Sequence, residues 1–178
     1  MESIDQFLNK RTLIIGDVNS GKTERTFQLL RLFLKAGYAK KIFLLDLAPG
    51  SIDGIGRKMT PPPDKDIIYL TSSISAPRLS GKDEYHTMKL AKENAKTIEK
   101  LFIKLHQQRR EILFVNDVTL YFHAGHFKRL LEILNNFSTQ IINAYYGKSF
   151  ADSELTRREK KLTQDLMKIC DHVITMTT

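Results

Sequence analysis

The chain has 178 residues, 42% hydrophobic and 27% charged, the balance of an ordinary globular protein about one domain long, which needs no disulfides or structural zinc to close a core. The lone Cys170, in KICDHV, has no partner thiol and no metal-ligand spacing, excluding a disulfide framework and a cysteine-rich zinc site and pointing to a reducing compartment, the cytoplasm. A formal charge of +8, from 28 Lys and Arg against 20 Asp and Glu, attracts polyanions, whether nucleotide, nucleic acid or anionic lipid. The basic pairs at 40–41, 109–110, 157–158 and 160–161 mostly sit beside acidic residues, so a mixed solvated surface is expected and nucleic acid is not the favoured partner. The opening MESIDQFLNKRTLIIG lacks a basic segment followed by an apolar one, and no apolar run approaches the ~20 residues that span a bilayer. Neither secretion nor membrane insertion is expected.

In chain order, the first apolar run is 12–15 (TLII), followed by a glycine-rich turn and a predicted helix over 22–36. That helix places Phe27, Leu30 and Leu34 on one face and stops at Gly37. A strand over 42–46 (IFLLD) ends in Asp46. Residues 48–65, APGSIDGIGRKMTPPPDK, have no periodicity and read as a lid or substrate loop. A strand over 67–70 (IIYL) leads to a second irregular stretch, 71–82. Over 83–108 Met88, Ala91, Ala95, Ile98, Phe102 and Leu105 recur at steps of three and four, one stripe that packs on the sheet in preference to forming a dimer seam.

Strands over 112–115 (ILFV) and 139–144 (TQIINA) flank a helix over 127–137. A last helix over 153–170 carries Leu155, Leu162, Leu166 and Ile169 on one side, and 172–176 (HVITM) is a candidate sixth strand. Short, near-continuous apolar runs alternating with helices predict a single α/β domain over 1–178 with a parallel sheet. In such folds ligands bind beyond the carboxyl ends of the strands, where both irregular loops emerge.

Directly after the first strand stands Gly16-Asp17-Val18-Asn19-Ser20-Gly21-Lys22-Thr23, which fits GxxxxGK[ST] at every fixed position. Glycines let backbone N–H groups converge on phosphate oxygens with no Cβ in the way, and the following helix adds its free donors and positive dipole end. Lys22 neutralises β/γ-phosphates and the Thr23 hydroxyl ligates Mg²⁺. Gly16, Asn19, Ser20, Gly21, Lys22, Thr23 and Glu24 are the expected nucleotide-binding residues.

This octapeptide in its strand-to-helix setting resembles the P-loop NTPase superfamily. The resemblance implies a three-layer α/β/α sandwich with a mainly parallel sheet, holding ATP or GTP with Mg²⁺. The second motif of that superfamily, an apolar strand ending in Asp, is matched by Ile112-Leu113-Phe114-Val115-Asn116-Asp117, where Asp117 would hold a water on the metal. The usual acidic pair is absent. Either Asp117 is the metal-shell aspartate with no catalytic Glu after it, or Asn116 takes that position and Asp117 is the base that activates water. The resemblance also makes Asp46 a candidate base or second metal-shell group, against a plain turn-forming role before Ala48-Pro49.

Arg57, Lys58, Arg78, Arg157 and Arg158 are candidate contacts for phosphoryl charge or an anionic acceptor, against simple solvation. His123 and His126 lack a third metal ligand at suitable spacing and are expected to be loop or helix-end residues. Asn143 is placed to sense the γ-phosphate or an attacking water, and Tyr145 or Tyr146 to stack on a ring.

Three functions compete. The leading one is Mg²⁺-dependent ATP hydrolysis coupled to a partner, ATP being preferred to GTP because no Asn-Lys-x-Asp follows the fourth strand. The second is a small-molecule kinase or nucleotidyltransferase. In strand order and over 143–173 the chain resembles cobinamide kinase, although neither His86 nor His106 has a context matching the guanylylated histidine of that family. The third is a nucleotide-regulated nucleic-acid-binding protein.

Overall fold

The computed structural model describes residues 2–61, 63 and 66–177. Pro62, Asp64 and Lys65, at the end of the long loop expected over 48–65, therefore lie outside the described residues. Six strands, β1 (Arg11–Gly16), β2 (Ile42–Asp46), β3 (Ile68–Thr71), β4 (Ile112–Asn116), β5 (Thr139–Tyr145) and β6 (His172–Met176), form one all-parallel sheet in the order β3-β2-β4-β5-β1-β6. All six predicted strands are present, within a residue or two of their expected ends.

The alternation of side chains along the strands divides the core. Leu13, Ile15, Phe43, Leu45, Leu113, Val115 and Ile142 face one side, while Ile14, Ile42, Leu44, Ile112, Phe114 and Ile141 face the other. Strands covered on both faces need apolar residues at every position, which is why these runs are continuous. The second face is covered by α1 (Lys22–Lys35), whose Leu29, Leu30 and Phe33 are buried, with Phe33 packed edge-on against Phe114. On the first face lie α3 (Glu84–Leu105), α5 (Phe127–Leu134) and α6 (Glu154–Met167). Helices on both faces are consistent with a three-layer arrangement.

The helix ends carry their expected signals. Asp83 and Ser153 cap α3 and α6 through side-chain oxygens, and Gly37 follows α1 at φ +83°. The stripe of α3 is buried in the core from Ala91 to Leu105, so no dimer seam is needed to account for it. Among the described residues no helix is long and apolar enough to cross a membrane.

Two one-turn helices escape the sequence reading, and both shape the site. The stretch 71–82 contains α2 (Pro77–Ser80), held because buried Asn94 of α3 exchanges two 2.9 Å hydrogen bonds with the Ser75 backbone. After β4 the chain turns at Asp117, φ +60°, into α4 (Thr119–Phe122), where the Thr119 hydroxyl accepts from the Tyr145 amide at 2.7 Å. Elements of four residues leave no periodicity to read. Ile169, expected on the apolar face of the last helix, lies beyond the end of α6 and is 42% exposed.

Candidate functional site

A cavity of about 590 Å³ opens at the carboxyl ends of β1, β2, β4 and β5, lined by residues 18–24, parts of the 48–57 loop, α2, and the segments after β4 and β5. Its floor is the turn between β1 and α1. At Gly16 the chain passes so close to β6 that a Cβ would lie 2.8 Å from the Met176 carbonyl oxygen and run into the Ser20 hydroxyl. Asn19 and Gly21 adopt left-handed backbone, at φ +56° and +88°. This conformation turns amides toward the cavity instead of into secondary structure.

The amides of Asn19, Gly21, Lys22, Thr23 and Glu24 accordingly donate to nothing among the described residues, and all five residues line the cavity. The Lys22 ammonium folds back over the turn, donating to the Asp17 carbonyl at 2.5 Å and the Ser20 hydroxyl at 3.5 Å. Burial pulls its pKa below the usual lysine range, opposed by the charges of Asp117 and Asp17. Free amides, a helix N-terminus and a half-buried cation together suit a multiply charged anion.

Asp17 braces this turn from outside. Its carboxylate accepts from the Val18 amide at 2.6 Å, the Lys148 amide at 3.0 Å and the Ser149 hydroxyl at 2.5 Å, tying the loop after β5 to the floor. These bonds, led by that of the Lys148 amide, hold its pKa at about 2. A Cβ on Gly147 would lie 2.7 Å from Asp17 Oδ2, so the glycine permits the approach.

Behind the floor runs a chain of amides. The Thr23 hydroxyl donates to Asn116 Oδ1 at 3.3 Å, and that oxygen also accepts from Asn143 Nδ2 at 2.8 Å. Asn116 Nδ2 donates to Asp46 Oδ1 at 2.9 Å and to the Arg57 carbonyl at 3.1 Å, which fixes the orientation of the amide. Asn143 Nδ2 donates in addition to Thr26 Oγ1 at 2.7 Å, while its oxygen takes the Asp117 amide at 2.7 Å. Asn116, at the end of β4, is thus the residue beside Thr23.

Asp46 is fully buried and stands outside the cavity lining. Its two oxygens accept from the Ala48 amide (3.1 Å), the Met59 amide (2.6 Å), the Tyr69 hydroxyl (3.0 Å) and Asn116. Four donors occupy both oxygens, so this geometry makes Asp46 an organiser of the loop and of Asn116 rather than a group facing a reactant. Asp117 does line the cavity. Enclosure by protein pushes its carboxyl up to about 6, with Lys22 pulling the other way and Glu159 adding to the rise.

The five basic candidates separate. Lys58 is consumed by the Ala48 carbonyl, the Thr71 hydroxyl and the Ser72 carbonyl, at 2.7, 2.7 and 3.0 Å. Arg157 pairs with Asp152 on the surface, and Arg158 donates to the Phe122 and Gly125 carbonyls. Arg57 and Arg78 line the cavity. Arg78 forms an ion pair with buried Glu159, which on its other oxygen holds His123 Nε2 at 2.6 Å. Tyr145 and Phe150 complete this wall, with the Arg78 guanidinium 3.8 Å from the Phe150 ring centre, whereas Tyr146 receives Gln164 Nε2 on its hydroxyl.

Glu159 and Phe150 were not singled out by sequence, and His123 was expected only at a loop or helix end. A signal for Glu159 existed. It lies four residues after Leu155 and three before Leu162, a carboxylate inside the apolar stripe of α6. Phe150, alone in an irregular segment, offers none.

Among the described residues no group of three or more His, Cys, Asp or Glu is arranged to hold a metal. A cation beside Thr23 would therefore draw most of its ligands from a bound anion and water, the habit of Mg²⁺. No family model and no curated protein sequence matches the chain.

Proposed function

We propose that the protein is a P-loop nucleotide-binding protein that binds ATP with Mg²⁺ and hydrolyses it. The observation that carries this reading is the set of five free amides at residues 19 and 21–24, all of which line one cavity together with Lys22. Each hydrogen bond from such a group to a phosphate oxygen contributes about 1.5–3 kcal/mol.

The Thr23 hydroxyl oxygen would be a direct ligand for Mg²⁺, with its proton held on Asn116 Oδ1. When bound, the ion would supply charge neutralisation to the phosphates. The side chains do the rest. Lys22 offsets phosphate charge and the amides of 19 and 21–24 fix the chain of phosphates. Asp117 orients a water and takes its proton as the water oxygen bonds to phosphorus and the β–γ bridge breaks. A carboxyl held near 6 is mostly ionised at neutral pH and still basic enough for that step.

The test is thermal denaturation with and without Mg·ATP. At about 100 times Kd, binding adds roughly 2.7 kcal/mol, a rise in Tm of about 5–10 °C for a chain of this size. Lys22→Ala abolishes the rise. No shift in the wild type, or an undiminished shift in the variant, would sink the reading.

A second reading, phosphoryl transfer to a small molecule, is favoured by one specific observation: the Arg78–Glu159–His123 wall shares the cavity with Lys22. Hydrolysis alone gives that wall no task.

A further inference from the structure

We propose that this wall is an acceptor site, in which His123 Nδ1 removes the proton of a hydroxyl on a small anionic molecule held by Arg78, so that the protein acts as a kinase. The inference rests on the nucleotide reading above, which places a γ-phosphate in the same cavity.

The state of the imidazole follows from its partner. Glu159 is 1% exposed and receives Arg78 Nη1 on Oε1, and an ion-paired carboxylate only accepts hydrogen bonds. Its Oε2, 2.6 Å from His123 Nε2, therefore fixes the proton on Nε2 and leaves the lone pair on Nδ1. His123 is 2% exposed and is one of the residues lining the cavity, and its Nδ1 is buried with no hydrogen-bond partner. A buried acceptor without a donor is uncommon, and this one belongs to a residue of the cavity wall. A base held in one tautomer by a buried carboxylate is the pairing that hydroxyl activation requires. Burial keeps the imidazole pKa below its usual range, so the ring is a free base at neutral pH, with Glu159 opposing that effect.

Arg78 gives the substrate class. Only its Nη1 is engaged, with Glu159 and at 3.4 Å with Thr156 Oγ1. The Nε–H and Nη2 donors meet nothing among the described residues, although the side chain is just 14% exposed and lines the cavity. Phe150 at 3.8 Å and Tyr145 at 5.2 Å flank the guanidinium and hold its plane. Spare donors on a fixed fork match a carboxylate or phosphate group.

In the transfer the acceptor oxygen bonds to the γ-phosphorus while the bond from that phosphorus to the β–γ bridging oxygen breaks. ADP leaves with the bridging oxygen and the hydroxyl proton moves to Nδ1, then to solvent. The charges acting on the ring are Glu159 of α6, which contacts the imidazole as its counter-charge, and the Arg78 guanidinium of α2. Glu159 is a positioning residue.

The experiment incubates the full chain with Mg²⁺ and ATP labelled at the γ-phosphate, together with D-glycerate, glycerol 3-phosphate and ribose 5-phosphate as probes, and follows acid-stable label. At least one probe is labelled faster than phosphate is released to water, and the carboxylate and phosphate probes show which anion Arg78 takes. His123→Gln lowers transfer about 100-fold or more with Mg·ATP affinity unchanged. Arg78→Lys raises the KM for the acceptor more than it lowers kcat, and Glu159→Gln moves the acid limb of kcat to lower pH. If Mg·ATP binds and no probe is labelled, or if His123→Gln transfers at the wild-type rate, the acceptor site is refuted. Failure to bind Mg·ATP is a separate result that removes the nucleotide reading and this one with it. Should His123→Gln not fold, nitrogen NMR of the wild-type ring decides: Nε2 protonated with Nδ1 bare supports the proposal, and the reverse tautomer overturns it.

Discussion

The Thr23 hydroxyl donates to the amide oxygen of Asn116 across 3.3 Å, joining the first turn of α1 to the end of β4. A neutral amide at that point serves two neighbours of opposite need. Its oxygen turns to Thr23 and Asn143, and its nitrogen satisfies the buried Asp46 carboxylate. An aspartate there would add negative charge beside Thr23 while placing two carboxylates in contact.

Asn116→Asp should therefore lower stability at pH 7.5 by about 3 kcal/mol, because two buried carboxyls in contact cannot both ionise and a donor to Asp46 is lost. The loss shrinks toward pH 5, where taking up a proton costs less, and Mg²⁺ recovers part of it. Urea unfolding at both pH values, with and without Mg²⁺, measures this. A variant as stable as the wild type would show that the amide is not needed.

Asp117→Asn should raise Tm at neutral pH. Enclosure by protein pushes the folded carboxyl up to about 6 from the ordinary aspartate range, so its ionisation opposes folding fully above about pH 6 and not at all well below 4. The gain on substitution is on the order of 2 kcal/mol at pH 7 and fades toward pH 4, where wild type and variant converge. Asparagine also tolerates the left-handed backbone at this position. Scanning calorimetry from pH 4 to 7.5 reads the divergence, and under the proposed hydrolysis phosphate release falls in the variant.

The opposite sign is expected at Asp17, whose pKa is held near 2. Its contribution is complete above about pH 4 and is lost as pH falls toward 2. With part of the group in solvent, Asp17→Asn costs about 1 kcal/mol at pH 7, and the Tm difference from wild type closes in acid. A difference that stayed constant down to pH 2 would mean the bonds to Lys148 and Ser149 do not depend on the charge.

Gly16→Ala should destabilise the fold by about 2 kcal/mol or more, since the new methyl meets the Met176 carbonyl at 2.8 Å and backbone must move. The β1–β6 pairing yields first, and the floor of the cavity shifts with it. Isothermal titration with Mg·ATP on the folded variant should show affinity down at least tenfold; unchanged affinity would place the floor outside the nucleotide site.

Residues 12–15, 42–46 and 112–115 announced their strands because a sheet covered on both faces demands unbroken apolar runs, and that demand is local. GDVNSGKT was legible for the same reason, its conformation being dictated by its own glycines and the helix it opens. The choice between Asn116 and Asp117 beside Thr23 was not legible. It turns on where β4 ends and on the left-handed turn at Asp117, which depends on Asn143 accepting the Asp117 amide.

The chain alone thus determined the parallel α/β plan and the glycine-rich turn between β1 and α1, each set by neighbours a few residues apart. Only the tertiary structure decided that Asp46 is spent on four donors and that Arg78, His123 and Glu159, from three elements, meet in one wall of the cavity. Hydrogen bonds bridging 36 to 81 residues of sequence leave no periodic trace, because the pairing is fixed by sheet order and helix docking rather than by the spacing of the residues that make it.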